Sequence, residues 1–368
     1  MLNVKMNAAV ACLSLAAMSV PAAAQDSALL KRFDTFARFS TSSYCTHLVD
    51  GSAQSTVCSF KDRATCAELS DATSLIEFTS NNTVSGNIAV SNSSKLIVVS
   101  LRGTDVTSFR DVMSDLKFCK RKPKNIFGDA FRGSIRALCG MLPSSPDDVK
   151  DPILPLCTGC EVATGFWNAF QGIKVDMMRV VKEQKNKHPD FSVVATGHSL
   201  GGAVATLAGA YLRKSGINTD IYTFGSPRVG DEPFATFVSN QPNGKTFRIT
   251  NGADPITVAP GLMAGYAHTT PEFWFPDGLN KPSTMKVCVG VANKTCSAQF
   301  LFNLFKLDDH DGRKYSRGFD ACAANKRSSS LSMPDVVTKP ESDEWMRVGV
   351  LDNSTVPITN ETLPVTKR

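Results

Sequence analysis

The clearest chemical signal in the sequence is the pentapeptide Gly-His-Ser-Leu-Gly at 197–201. A β-rich run at 192–196 precedes it, and a helical pattern follows it. In that context the motif predicts a nucleophile elbow, a sharp strand-to-helix turn that exposes a reactive serine, here Ser199. The backbone N–H of Leu200, just after the serine, is then one donor of an oxyanion hole.

A serine at its ordinary pKa is a weak nucleophile, so this chemistry needs a base and an acid that orients the base. In hydrolases with this elbow the chain order is serine, acid, histidine. Only two of the five histidines, His268 and His310, lie downstream of Ser199, and the residues alone leave both open as the base. Asp254 follows a β-rich run, where the acid is expected, although an Asp-Pro pair is also a common turn.

The segments around these residues predict an α/β fold. Short β-rich runs bounded by turn residues alternate with helical patterns, which is typical of a largely parallel sheet. The predicted strands are 87–90, 96–101, 192–196, 221–224 and 247–250, and the predicted helices are 27–44, 165–187 and 202–214.

Composition excludes several functional classes. The chain has 368 residues, of which 42% are hydrophobic, so it can bury a large core and is not wholly disordered. The net charge is +6, with no dense lysine and arginine cluster, so nucleic acid is not expected as a partner. An uninterrupted apolar run of about 18 residues does not occur, so no transmembrane segment is expected.

The N-terminus predicts a signal peptide at 1–24, and hence a secreted protein. Lys5 supplies the positive start, an apolar stretch follows, and three alanines before Gln25 form a small-residue cleavage site. The alternative is a buried N-terminal helix. The expected division is a hydrolase domain at 25–322, with an insertion at about 117–156, and a polar C-terminal extension at 323–368.

Cysteines and sequons agree with secretion. Without Cys12 of the leader ten cysteines remain, and an even number behind a signal peptide predicts five disulfides outside the cell. Cys157 and Cys160 could instead form half of a zinc site, but no second pair accompanies them at metal spacing, so no metal is expected. The predicted glycosylation sites are Asn81, Asn92, Asn293, Asn353 and Asn360.

Four blocks of the sequence, at 196–203, 224–230, 250–256 and 265–274, resemble the secreted fungal class 3 lipases. Leu-Arg-Gly-Thr at 101–104 is similar to their first oxyanion loop, and the blocks occur in the family's order between about Leu29 and Cys322. The resemblance implies an α/β-hydrolase fold with a central, mostly parallel sheet flanked by helices. It also implies a helical lid and a disulfide-stapled insertion.

The same resemblance implies roles for individual residues. Ser199 matches the nucleophile, Asp254 the acid and Thr104 the second oxyanion donor. The family's histidine at the position of His268 is structural, so the base is His310. The family usually has an aromatic residue in a tight His-x-x-Tyr motif, whereas here Tyr315 lies five positions after the histidine.

A lid is implied at 107–116, just after the first oxyanion loop. If the segment is helical, four apolar residues share one face, at i, i+3, i+4 and i+7. An ordinary amphipathic surface helix is the alternative interpretation. The apolar face consists of Phe109, Val112, Met113 and Leu116.

The resemblance also implies three of the five disulfides, and the last two pairs follow by elimination and proximity. The first three are Cys157–Cys160, Cys58–Cys66 and Cys45–Cys322, and the other two are Cys119–Cys139 and Cys288–Cys296.

The expected function is that of a triacylglycerol lipase, which cleaves acylglycerol esters through an acyl-enzyme on Ser199. It would act as a monomer on lipid or ester substrates at an oil–water interface, without a metal or organic cofactor. A feruloyl-type or other soluble-ester carboxylesterase and a phospholipase are alternatives on the same fold. A catalytically silent binding protein is disfavoured by the intact serine, aspartate and histidine set.

Overall fold

The computed structural model describes residues 22–45, 48, 54–58, 69–78, 84–103, 156–261, 264–300 and 307–316. Several predictions lie outside this part of the chain. They are most of the leader, the lid at 107–116, the insertion up to residue 155, the extension at 323–368, and Thr104.

One sheet of eight strands runs through the described residues, and its strands lie side by side in chain order. The five central strands, β3 to β7, are parallel, and β1, β2 and β8 pair antiparallel at the two edges. The strands are β1 Thr73–Phe78, β2 Gly86–Ser91, β3 Leu96–Leu101, β4 Ser192–His198, β5 Thr219–Phe224, β6 Thr246–Asn251, β7 Glu272–Phe275 and β8 Lys286–Cys288.

Helices connect and cover these strands. The described α-helices are α1 Ala22–Ser42, α2 Thr164–Lys187, α3 Leu200–Lys214, α4 Glu232–Asn240 and the single turn α5 Gly312–Tyr315. Short 3-10 turns occupy Pro255–Val258, Pro282–Thr284, Ser297–Phe300 and Leu307–His310. None of the described helices is long and apolar enough to cross a membrane.

The hydrophobic core lies on both faces of the sheet, because side chains alternate along each strand. In β3, Ile97 and Val99 point into the cluster formed with α2 and α3, whereas Val98 points into the cluster formed with α1. Helix α3 begins directly after Ser199 and is buried from Leu200 to Arg213 by the described part of the chain. This three-layer arrangement holds the elbow rigidly.

Each of the five predicted strands lies within an observed strand, and three of the described strands and two of the described helices, α4 and the single turn α5, were not predicted. Strand β7 begins with buried, charged Glu272, which interrupts the apolar signal, and β8 is largely exposed. Helix α4 has only nine residues and begins after Asp231, whose carboxylate accepts a hydrogen bond from Phe234 N. Helix α1 begins at Ala22 rather than at 27.

Two of the predicted disulfides are present, Cys157–Cys160 and Cys288–Cys296. Cys45 and Cys58 are disulfide-bonded as well, and their predicted partners lie outside the described residues, as does the pair Cys119–Cys139. Leu156, at the end of the predicted insertion, packs into the hydrophobic core together with Cys157.

Candidate active site

Ser199 occupies the turn between the last residue of β4 and the first residue of α3. Its backbone has φ 58° and ψ −131°, in a region that residues with a Cβ rarely adopt. A Cβ on Gly201 would lie 2.1 Å from the carbonyl oxygen of Leu101, and one on Gly197 would lie 2.3 Å from that of Gly201. The glycines of the motif therefore allow the close packing that this strained turn requires.

Leu200 is the first residue of α3, where backbone N–H groups have no acceptor within the helix. The helix dipole also favours negative charge at this end. The geometry fits the predicted role of the Leu200 N–H as an oxyanion donor. Gly103, the neighbour of Thr104, lies beside the serine, since a Cβ built on it would be 2.7 Å from the Cβ of Ser199.

The structure brings the three predicted catalytic side chains into one hydrogen-bonded chain. His310 Nε2 lies 2.8 Å from Ser199 Oγ, and His310 Nδ1 lies 2.8 Å from Asp254 Oδ2. Asp254 follows β6 and Ser199 follows β4, so the parallel pairing places both at the carboxyl edge of the sheet. His310 ends the 3-10 turn Leu307–His310, and all three residues are at most 2% exposed.

Asp254 is held by donors besides His310. Ile256 N donates to Oδ1 at 2.8 Å, and the hydroxyl of Tyr315 donates to Oδ2 at 2.6 Å. Burial and the adjacent carboxylate raise the pKa of Tyr315 well above its ordinary value, so the phenol stays protonated and donates. Although Tyr315 lies five positions after His310, its hydroxyl still reaches the acid, because Tyr315 ends the single helical turn α5.

Asp309, which sequence reasoning missed, links the base to the acid loop. Its backbone carbonyl accepts from Asn251 Nδ2 at 2.9 Å, and its carboxylate accepts from Ala253 N at 2.9 Å. The turn that carries His310 is thus tied to the loop that carries Asp254. Nothing in a single sequence distinguishes this aspartate from Asp308 before it.

His198, the second residue of the pentapeptide, lies against the base. Its Nε2 is 2.9 Å from the carbonyl oxygen of His310, and its Nδ1 is 2.8 Å from the hydroxyl of Tyr44. A carbonyl only accepts, so Nε2 carries the proton and Nδ1 accepts from the tyrosine. Burial, and next the neighbouring His310, lower the pKa of His198 to about 3, so its imidazole is neutral.

His268 lies in a different environment, a buried polar cluster. Its Nε2 donates to the carbonyl of Thr257, and its pKa is held well below the usual range by burial and then by Arg248 and Arg228. Arg248 forms a buried ion pair with Glu272 at 2.7 Å. Sequence reasoning missed this ion pair, because an arginine and a glutamate in separate segments carry no sign that they meet.

Comparisons with known proteins show similarity to lipases over part of the chain. A family model described as lipase (class 3) matches residues 98–263. A secreted mono- and diacylglycerol lipase of Fusarium solani is 48% identical over 146 residues, which are 39% of this chain and 44% of that protein. One from Penicillium cyclopium is 39% identical over 126 residues, 34% of this chain and 41% of that protein.

Solved structures show the same architecture. A mono- and diacylglycerol lipase from Aspergillus oryzae superposes with a TM-score of 0.62 at 27% identity, covering 76% of this chain and 94% of that one. Over residues 98–263 the chain is similar to the class 3 lipases. The α/β-hydrolase fold predicted from the sequence is confirmed.

The region that matches the class 3 lipases contains only part of this site. The family match at 98–263 includes the serine elbow and Asp254 but ends before His310. The chain also spans less than half the length of the two curated relatives described above. The role of His310 therefore rests on its contacts with Ser199 and Asp254. Among the described residues, no three histidine, cysteine or acidic side chains form a cluster that could hold a metal ion.

Proposed function

We propose that this chain is a serine ester hydrolase that acts on acylglycerols through an acyl-enzyme on Ser199. The observation that carries the proposal is the chain of contacts from Ser199 Oγ to His310 and on to Asp254, with the serine held in a strained turn. This arrangement is the nucleophile, base and orienting acid of a catalytic triad.

In the first half of the reaction, His310 Nε2 takes the proton of Ser199 as Oγ bonds to the ester carbonyl carbon. The imidazolium that forms is stabilised by Asp254, which holds the Nδ1 proton. The Leu200 N–H and, in this proposal, Thr104 donate to the developing oxyanion. The tetrahedral intermediate collapses as His310 protonates the leaving alcohol, which leaves the acyl group on Ser199.

The second half repeats these steps with water. His310 removes a proton from the water molecule, whose oxygen bonds to the acyl carbon, and then returns the proton to Ser199. The products are a carboxylic acid and an alcohol. All proton transfers use side chains of this chain, and the proposed chemistry needs no cofactor.

Acylglycerols are proposed as substrates on two grounds. The relatives from Fusarium solani and Penicillium cyclopium are named as secreted mono- and diacylglycerol lipases. The sequence at 107–116 predicts a helix with one apolar face, which suits a lid that opens at a lipid surface. The relatives' names and the leader predicted at 1–24 support secretion.

Labelling with a serine-hydrolase phosphonate probe tests the core of this proposal. The wild type should react covalently at Ser199, and Ser199→Ala should not react and should not hydrolyse esters. Substrate class is tested by comparing monoolein, diolein, triolein, tributyrin, phosphatidylcholine and methyl ferulate. Turnover confined to methyl ferulate or to phosphatidylcholine would replace the acylglycerol assignment, and a wild type that resists the probe would refute the enzyme proposal itself.

The proposed lid has its own test. Activity on tributyrin should rise sharply once the substrate exceeds its solubility and forms droplets. Phe109→Ser combined with Met113→Ser should weaken this rise while hydrolysis of soluble p-nitrophenyl acetate is kept. Arg110→Ser combined with Ser114→Ala, on the opposite face, is the matched control. A smooth saturation curve in the wild type would refute the lid.

Secretion leads to further proposals about covalent structure. Asn92 is exposed in the turn after β2, which suits glycan attachment, and Asn293 is partly exposed within the Cys288–Cys296 loop. The other proposed sites, Asn81, Asn353 and Asn360, lie outside the described residues. Peptide mapping without reduction tests the remaining pairs, since joining Cys45 to any cysteine but Cys322 would refute the scheme.

A further inference from the structure

Near the end of helix α1, the side chain of Tyr44 reaches the active site. Tyr44 follows the helix by two residues, precedes disulfide-bonded Cys45, and donates its hydroxyl proton to His198 Nδ1 at 2.8 Å. A Cβ on Gly103 would lie 2.3 Å from this hydroxyl and 2.7 Å from the Cβ of Ser199. The hydroxyl of Tyr44 therefore lies close to Gly103, which follows β3, and to His198 of the elbow.

His198 continues this connection to the base. Its ring lies 4.7 Å from the ring of His310, centroid to centroid, and its Nε2 donates to the His310 carbonyl. Asp309 ties the same turn to the acid loop from the other side, through Asn251 and Ala253. The backbone around His310 is therefore held from two directions, by the acid loop and by the elbow.

We propose that Tyr44 and His198 act as a positioning pair, which holds the backbone carbonyl of His310 so that Nε2 of this base stays aligned with Ser199. The proposal rests on the serine hydrolase function proposed above. Neither residue exchanges a proton with substrate. Their contribution is to keep the 2.8 Å contact between base and nucleophile through successive turnovers.

The direction of each hydrogen bond explains why both residues are needed. The imidazole of His198 carries one proton, and only the tautomer protonated at Nε2 can donate to the His310 carbonyl. The hydroxyl of Tyr44 selects that tautomer, because it donates to Nδ1. Without the tyrosine the other tautomer becomes accessible, and its Nε2 lone pair would face the carbonyl oxygen and repel it.

The neutral state of His198 also suits its place beside the base. His310 becomes positively charged in each half-reaction, and a second charge 4.7 Å away would oppose that step. Burial keeps His198 uncharged, consistent with its lowered pKa. A neutral donor at this position holds the carbonyl without adding charge.

The test measures turnover per active site in Tyr44→Phe, His198→Leu and His198→Gln, with p-nitrophenyl acetate as substrate and phosphonate titration to count competent sites. Tyr44→Phe should lower kcat roughly 3- to 10-fold at unchanged KM, since a neutral hydrogen bond contributes about that factor. His198→Leu should lower it roughly tenfold or more. His198→Gln, whose amide can still donate to the carbonyl, should recover most of the loss.

The matched control is Tyr222→Phe, which removes another buried phenol hydroxyl, on a ring that packs against Phe33 and Phe36 of α1. It should keep the kcat of the wild type. A purely structural role for Tyr44 would lower the number of sites that the probe titrates and leave the turnover of each titrated site unchanged.

The outcomes separate this proposal from the one on which it rests. A wild type that the phosphonate does not label would refute the hydrolase function. A wild type that is labelled, with Tyr44→Phe and His198→Leu equal to it in kcat per titrated site, would refute the positioning pair alone. Equal losses in His198→Gln and His198→Leu would also refute it, because the donor would then be irrelevant.

Discussion

Two buried histidines, His310 and His268, have opposite electrostatic environments. His310 has its Nδ1 against the carboxylate of Asp254 and its Nε2 against the hydroxyl of Ser199. His268 faces the guanidinium groups of Arg248 and Arg228, and its Nε2 donates to a backbone carbonyl. The two histidines are therefore both buried, but their neighbours carry opposite charges.

The difference shows what makes a histidine a base in this molecule. A base must hold a proton for part of the cycle, and the carboxylate beside His310 stabilises that charged form. At His268, burial and then the two neighbouring cations oppose the charged form and lower the pKa, so this imidazole stays neutral. The charge of the neighbours, rather than burial, distinguishes the two residues.

The largest expected effect on turnover comes from His310→Gln, and His268→Gln is the comparison. His310→Gln should lower turnover on p-nitrophenyl acetate roughly 10⁶-fold, as losing the base of a comparable triad does. His268→Gln should leave turnover within a few-fold and lower the melting temperature instead. Kinetics and thermal unfolding of both purified variants measure the contrast. A His268→Gln protein that is stable but inactive would reverse the assignment.

The next effect concerns the ion pair beside His268. Glu272→Gln leaves Arg248 buried without its carboxylate partner, which should cost about 3–5 kcal/mol in the free energy of unfolding. The matched control is Asp190→Asn, which breaks the exposed Lys95–Asp190 pair and should leave the free energy of unfolding almost unchanged. Urea denaturation measures both. Equal costs for the two pairs would contradict the structure's account of the cluster.

The sequence predicts the catalytic residues better than it predicts the polar cluster around His268. The elbow and the central strands follow from local patterns, because glycine, β-branched residues and helical spacing report on nearby backbone. Asp254 was expected from its place after a strand. Choosing His310 over His268 needed the family resemblance, because chain order allows both.

The cluster around Arg248 was not predictable, because its partners lie on different strands and meet only after the sheet has formed. The roles of Asp309 and Tyr44 were not predicted for the same reason. Asp309 contacts the Asp254 loop and Tyr44 contacts His198, and in both cases the partners are far apart in the sequence. Strand β7 was missed because Glu272, its first residue, looks like a surface residue until its partner Arg248 is known.

A smaller effect is expected from the tyrosine that supports the acid. Tyr315→Phe removes a donor from the carboxylate of Asp254, and hydrogen bonds to charged groups contribute about 1.5–3 kcal/mol. Turnover should fall about tenfold or more, with KM unchanged, because Asp254 then orients His310 less firmly. Tyr222→Phe is again the control. Full turnover in Tyr315→Phe would show that the longer His-to-Tyr spacing has made this contact dispensable.

The smallest expected effect is a change in folding stability with pH, and it tests whether buried His198 is neutral. In the unfolded chain His198 binds a proton below a pKa of about 6.5, whereas in the folded protein its pKa is lowered to about 3. The unfolded state therefore binds more protons between these values, so the stability present above pH 6.5 is lost as the pH falls toward 3. The slope for one such group is about 1.4 kcal/mol per pH unit.

His198→Gln removes this contribution and leaves the carboxylates in place. The stability advantage of the wild type over the variant should stay constant between pH 8 and 7, where the histidine is neutral in both states, and should shrink from pH 6 to pH 4. Urea denaturation at each pH measures the difference. A constant difference down to pH 4 would mean that His198 is protonated in the folded protein, and a charged His198 could not accept the hydroxyl proton of Tyr44.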